Sequence, residues 1–334
     1  MQYVTVDPVV TGVRMRGLAE TVWDNARHHP ETPQFVRPDP DPRSWPAPPA
    51  SRTGASIVSC AAFRDDVHDV ARGFIAAGVE HGDRVGLISR TRYEWTLVDY
   101  ALWAIGAVTV PIYDTSSPEQ IEWILADSEA VGCVVETDDH AATVTGLQDG
   151  LPTLRRTWQI DAGGLIALAG QGRTVDDAQL EARRERVADA DVATIVYTSG
   201  TTGRPKGCTL THRNIYCDAA GSLAVLPQLV RPGASTVLFL PLAHVFARLI
   251  QVAVVQARVT MVHSPDIADA LEQLRRHRPT FILGVPRVFE KMHDRARQKA
   301  DDARRGVVFT AAERVAVRYS RALDTPRGPN ALLR

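Results

Sequence analysis

Residues 198 to 207 read Thr-Ser-Gly-Thr-Thr-Gly-Arg-Pro-Lys-Gly, and the chemistry these side chains share is the holding of phosphate. Gly200, Gly203 and Gly207 open backbone conformations closed to other residues and let amide N–H groups approach an anion. The hydroxyls of Thr198, Ser199, Thr201 and Thr202 can donate to phosphate oxygens or ligate magnesium. Lys206 adds a compact charge suited to a polyphosphate. It is also out of character for this chain, in which only three of 38 basic residues are lysines (Lys206, Lys291 and Lys299). Two other phosphate loops are excluded. A Walker loop carries Gly directly before its Lys, where this chain has Pro205. The dinucleotide fingerprint G-x-G-x-x-G is absent from the segment.

His244 is the second candidate, set between an apolar run at 236–240 and an apolar helical run. Taken alone, a single His in such a place serves structure more often than chemistry. The four cysteines (Cys60, Cys133, Cys208 and Cys217) form no C-x-x-C pair and no zinc spacing, which predicts free thiols in a reducing compartment.

A chain of 334 residues with 45% hydrophobic and 23% charged residues has material for a sizeable core and roughly two domains' worth of length. Its net charge of −1 supplies no global field to draw nucleic acid. Residues 266–334 are locally basic, with 15 basic and 9 acidic side chains, which allows peripheral contact with a membrane or a phosphorylated ligand. Arginines such as Arg275, Arg276, Arg295 and Arg297 on solvated helix faces account for the same excess. The N-terminus shows no signal-peptide pattern, and the best apolar stretch, 101–113, is too short to cross a bilayer and contains Pro111. A cytoplasmic location is expected.

These residues need elements to position them. Pro38, Pro40, Pro42, Pro46, Pro48 and Pro49 mark 37–55 as a loop insertion, since prolines this dense neither donate to a sheet nor continue a helix. Ser59 as N-cap, Phe63, Val67, Val70, Ala71, Phe74 and Ile75 at spacings of three and four, and Gly78 beyond them predict an amphipathic helix. Strands are expected at 84–89, 108–113 and 131–135, with helices near 93–106 and from Ser117-Pro118 onward. Such alternation implies parallel β-α-β units. Residues 161–190 read as a loop with a polar helix. A second alternating block starts at the strand Ala193-Thr194-Ile195-Val196-Tyr197, directly before the phosphate loop. It includes a helix at 266–277, a strand Phe281-Ile282-Leu283 and a helix after Pro286. From Ala300 the chain reads as amphipathic helix.

Residues 197–207 resemble the signature of the adenylate-forming superfamily, which includes acyl-CoA synthetases, luciferases and peptide-synthetase adenylation domains. Leu240-Pro241-Leu242-Ala243-His244-Val245-Phe246-Ala247-Arg248 resembles the next family motif. Gly284-Val285-Pro286-Arg287-Val288-Phe289-Glu290-Lys291 is similar to a segment of the long-chain fatty-acyl-CoA ligase branch, as is Arg92-Tyr93-Glu94-Trp95 with Gly106-Ala107-Val108 and Pro111. The likeness runs from about residue 17 to the end. It implies an α/β fold: the large N-terminal domain of the adenylate-forming fold, incomplete, with mixed sheets flanked by helices in an αβαβα layering and the C-terminal domain absent.

The reaction implied has two steps. A fatty carboxylate attacks the α-phosphate of MgATP to give an acyl-adenylate and pyrophosphate, and the thiol of coenzyme A then displaces AMP. By the same resemblance Thr198 helps hold Mg2+, Lys206 serves the β- and γ-phosphates, and His244 lies beside the acyl-adenylate and the route of the coenzyme. Val245 and Arg248 also face substrate, Arg248 standing where some long-chain members have an aromatic gate. Gly284 and Val285 form a wall of the acyl tunnel. Burying each methylene is worth about 0.8 kcal/mol, so tunnel depth would select chain length. No Tyr-Gly-x-Thr-Glu segment follows; with it the resemblance expects an acidic magnesium ligand, adenine contacts, a ribose-binding aspartate, a hinge and an adenylation lysine. The expectation is therefore part of a longer long-chain acyl-CoA ligase. The alternatives are a non-catalytic remnant or nucleotide-binding module, or an acyl-AMP ligase that serves a carrier protein. Oligomeric state is not legible.

Overall fold

The computed structural model describes residues 10–12, 15–37, 41, 43–46, 55–198, 204–325 and 328–330. It opens with α1 (Glu20–His28), β1 (Pro33–Arg37), β2 (Ser56–Ser59) and α2 (Cys60–Ala76). The proline-dense stretch connects β1 to β2, which pair antiparallel. Ser59 caps α2 by accepting from the Ala62 amide at 3.2 Å. The helix buries Phe63, Val67, Val70, Ala71 and Phe74. Gly78, at φ +81°, adopts the left-handed conformation that a glycine reaches freely just past a helix end.

Strand and helix then alternate through β3 (Arg84–Ile88), α3 (Tyr93–Ala104), β4 (Val108–Ile112), α4 (Pro118–Asp127) and β5 (Gly132–Val135). They continue as α5 (Asp138–Gly146), β6 (Arg156–Gln159), α6 (Gly164–Gly172) and α7 (Asp177–Arg186). The second block comprises β7 (Val192–Thr198), β8 (Lys206–Thr211), α8 (His212–Val225), β9 (Ser235–Leu238), α9 (Val245–Ala257), β10 (Thr260–His263) and α10 (Ile267–His277). All of these belong to one unit that ends at Leu283. A second unit starts at Gly284 and holds α11 (Pro286–Asp302) and α12 (Gly306–Leu323).

The first unit contains two mixed sheets, of order β2-β1-β10-β9 and β6-β5-β3-β4-β7-β8. In the larger sheet every pairing is parallel except the last, β7 with β8. Helix α3 is buried along its whole length and reaches both sheets. Thr96 bonds to His263 on β10 at 2.8 Å, and the Trp103 indole donates to the Ala193 carbonyl on β7 at 2.9 Å. A helix that is apolar on nearly every side, with its few polar groups (Glu94, Thr96, Asp99) paired inside the protein, belongs in the interior. The architecture is thus the α/β arrangement of mixed sheets flanked by helices that the resemblance implied.

Three expectations need correction. The stretch 161–190 holds two helices, not one. α6 buries Leu165 and Leu168 and lies so close to α2 that a Cβ on Gly73 would stand 2.5 Å from the Leu168 carbonyl oxygen. Residues 281–283 form no strand. Beside β9 the backbone-to-backbone bonds come from the Thr280 and Phe281 amides alone, both to the Ser235 carbonyl, so no ladder develops. The segment after the phosphate loop is a strand, β8, that turns back on β7, so this part of the chain is a hairpin rather than a β-α-β crossover.

Candidate functional site

The phosphate-loop sequence spans the tip of that hairpin. The ladder sets Thr198 opposite Lys206 and Tyr197 opposite Gly207, so the hydroxyl and the ammonium flank the turn from its two stems. Both residues are exposed. Gly207 is required by the neighbouring strand, since a Cβ there would stand 2.8 Å from Ile195 Cγ2. Ser199, Gly200, Thr201, Thr202 and Gly203 lie outside the described residues.

His244 is exposed and caps α9, its Nδ1 accepting from the Phe246 amide at 3.2 Å. In the neutral ring this leaves the proton on Nε2. Immediately beyond it, Val245, Phe246, Arg248 and Leu249 of α9 line a cavity of about 480 Å³, closed by α8 and by Thr194 and Leu210 of β7 and β8. Exposed Asn214, Asp218, Val245 and Phe246 stand at its mouth, while Thr194, Ile215 and Arg248 are buried. The cavity therefore runs inward from the start of α9, along the same two strands that carry the loop.

Arg248 is 2% exposed and not available as a free cation. Its Nη2 donates to Asp99 Oδ1 at 2.5 Å and its Nε to Asp99 Oδ2 at 3.1 Å, while Nη1 donates to the Thr194 hydroxyl. Gln251 donates to the same carboxylate at 3.0 Å and accepts from Thr96, which also contacts His263. Burial pushes the Asp99 carboxyl up from the ordinary range, with the Arg248 guanidinium pulling against it. Burial, then the Arg37 charge, holds His263 down at about 3, so this end of the network is a neutral imidazole.

A second cavity, of about 680 Å³, lies at the C-terminal ends of β3, β5 and β6. Most of its charges form ion pairs: Arg37 with Glu94 at 2.6 Å, Arg90 with Glu136 at 2.7 Å, Arg92 with Asp161 at 2.8 Å. For Glu136, burial opposes ionisation, yet the Arg90 side-chain and backbone bonds hold it below the usual carboxylate range.

A family model described as AMP-binding enzyme matches residues 22–325. The chain belongs to the AMP-binding enzyme family. It is 46% identical over 280 residues to the long-chain-fatty-acid–CoA ligase FadD15 of Mycobacterium bovis, covering 83% of this chain and 46% of that protein. The peroxisomal long chain acyl-CoA synthetase 7 of Arabidopsis thaliana is 32% identical over 241 residues, covering 67% of this chain and 33% of that protein. The chain thus spans about half the length, or less, of these relatives. Among solved structures it is similar to the inhibitor-bound N-terminal domain of FACL13 from Mycobacterium tuberculosis, with TM-score 0.67 and 24% identity over 84% of this chain and 65% of that one. A long-chain-fatty-acid-CoA ligase (FadD1) from Archaeoglobus fulgidus gives TM-score 0.69 and 23% identity over 84% of this chain and 54% of that one. At these identities the two structures speak for the fold alone.

Within this AMP-binding domain, the candidates fall into two groups. The first unit places Thr198, Lys206, His244, Val245 and Arg248 around one hairpin and the helix beside it. Gly284 and Val285 open the second unit, Val285 as the residue before α11 and 44% exposed. The cavity residues Leu210, Asn214, Ile215 and Asp218 escaped the sequence reading. Their signal was present in Thr211 and Asn214, which form a reciprocal cap at the start of α8. Among the described residues no cluster of three His, Cys, Asp or Glu side chains could hold a metal. An exposed hydroxyl such as Thr198 suits Mg2+, which keeps most of its shell as phosphate oxygens and water. Among the described residues no helix is long and apolar enough to cross a membrane.

Proposed function

We propose that this chain supplies the triphosphate- and acyl-binding part of an AMP-forming long-chain fatty-acid–CoA ligase. The observation that carries the reading is the hairpin that sets Thr198 opposite Lys206 while its own strands wall an apolar cavity of about 480 Å³. A nucleotide's phosphates at the turn and an alkyl chain in the cavity bring the fatty carboxylate towards the α-phosphorus. Joining a carboxylate to a tetra-anion is chiefly a matter of position and charge neutralisation. Lys206 and the loop amides meet the β- and γ-phosphates as pyrophosphate leaves. Thr198 is the ligand offered to Mg2+, which when bound neutralises phosphate charge. His244, the cap of α9 directly before the cavity-lining Val245, serves the acyl-adenylate and the incoming thiol of coenzyme A. Val245 and the stem of Arg248 border the acyl chain, and by the resemblance Gly284 and Val285 belong to a wall of the acyl tunnel. The protein works in the cytoplasm, with long-chain fatty acid and coenzyme A as its partners.

The test is palmitate-dependent exchange of labelled pyrophosphate into ATP by the protein that carries this chain, followed by thioester formation on addition of coenzyme A. Lys206→Ala should lower exchange at least tenfold. Undiminished exchange in that variant would remove Lys206 from the reaction. Exchange without any thioester would move the protein to carrier-protein acylation.

A further inference from the structure

A phosphate site binds best when its amides are held in place before the ligand arrives. One helix meets both stems of the hairpin. The Trp123 indole of α4 donates to the Pro205 carbonyl at 2.9 Å, and the Arg204 guanidinium lies over the same ring, 4.5 Å from its centroid. One turn further along α4, Asp127 Oδ2 accepts from the Tyr197 hydroxyl at 2.7 Å. Residues four apart share a helix face, so one face of α4 holds the chain as it enters and as it leaves the turn. Burial, then the Asp127 carboxylate, pushes the Tyr197 phenol up, which keeps Tyr197 the donor.

The helix is itself fixed. Ser117 and Gln120 close a reciprocal cap at its start, and Ile121, Ile124 and Leu125 are buried. Trp123, Ile195 and Tyr197 pack against the same core cluster. We propose that α4 is the brace of the phosphate loop and that Trp123 is a positioning residue for phosphate binding, acting through Arg204 and Pro205 without touching the ligand. This rests on the reading of the loop as a phosphate site, and the experiment separates the two.

Trp123→Leu removes both the donor and the ring; Trp123→Phe keeps a ring beneath Arg204 and removes only the donor. Hydrogen exchange is followed at the amides of Thr198, Arg204, Lys206 and Gly207, and affinity is measured for MgATP, magnesium pyrophosphate and palmitate. Exchange at those amides should accelerate about tenfold in Trp123→Leu, with MgATP and pyrophosphate binding weakened about tenfold and palmitate binding changed less than twofold. Trp123→Phe should fall between this variant and the unaltered protein. Unchanged exchange in Trp123→Leu, or equal weakening of nucleotide and palmitate, overturns the brace. Accelerated exchange alongside an unaltered protein that binds no MgATP keeps the brace and overturns the phosphate reading.

Discussion

Arg248 shows how a residue's surroundings decide its chemistry. Its sequence context suggested a side chain facing substrate, and its stem does border the cavity, but its charge is spent on Asp99 and Thr194 inside the protein. A buried charge stripped of its partner is costly, about 3–5 kcal/mol, whereas losing both partners costs less. Arg248→Met should therefore destabilise the protein by roughly that amount, and by at least about 2 kcal/mol less in an Asp99→Asn background. Urea unfolding of the four members of the cycle measures this, and strictly additive losses would contradict a coupled pair. The pairing was hard to read in advance, because the partners are 149 positions apart. The sign was Asp99 in the middle of α3, a helix apolar enough to be buried on every side apart from its acids Glu94 and Asp99. Lys206 and the hydroxyls were legible for the opposite reason: all their chemistry sits within ten consecutive residues.

At the scale of elements, legibility followed amphipathic contrast. Helices α2 and α4 announced themselves through caps and spaced apolar residues, and α3 through sustained hydrophobicity. Helix α6 did not, because its glycines (Gly164, Gly170, Gly172) read as loop. Gly172 permits a close helix crossing: a Cβ there would stand 2.5 Å from the Gly73 amide nitrogen. Gly73→Ala should then cost about 1–3 kcal/mol by overpacking, read as a lower urea midpoint with an unchanged slope. An unaltered midpoint would mean that the α2–α6 contact gives way easily. Strand β8 was missed because Lys206-Gly207-Cys208-Thr209 faces solvent and carries no alternation of apolar and polar residues. Residues 281–283 misled in the reverse sense, being apolar enough for a strand but without a ladder to join.

Taken as a whole, the first unit places the phosphate-loop hairpin at the last pairing of a six-stranded sheet, where an otherwise parallel array turns antiparallel. The strands feeding that turn also wall the cavity beside α9, so the nucleotide end and the acyl end of the proposed reaction share a single support. The chain matches 46% of the length of its mycobacterial relative, and binding is accordingly the property to measure on the chain itself. Calorimetric titration of MgATP and of AMP into the unaltered chain and into Lys206→Ala addresses the phosphate site directly. ATP should bind more tightly than AMP, and Lys206→Ala should weaken ATP at least tenfold while leaving AMP within twofold. Equal affinities for the two nucleotides, or an ATP affinity indifferent to Lys206, would contradict a triphosphate held at this turn.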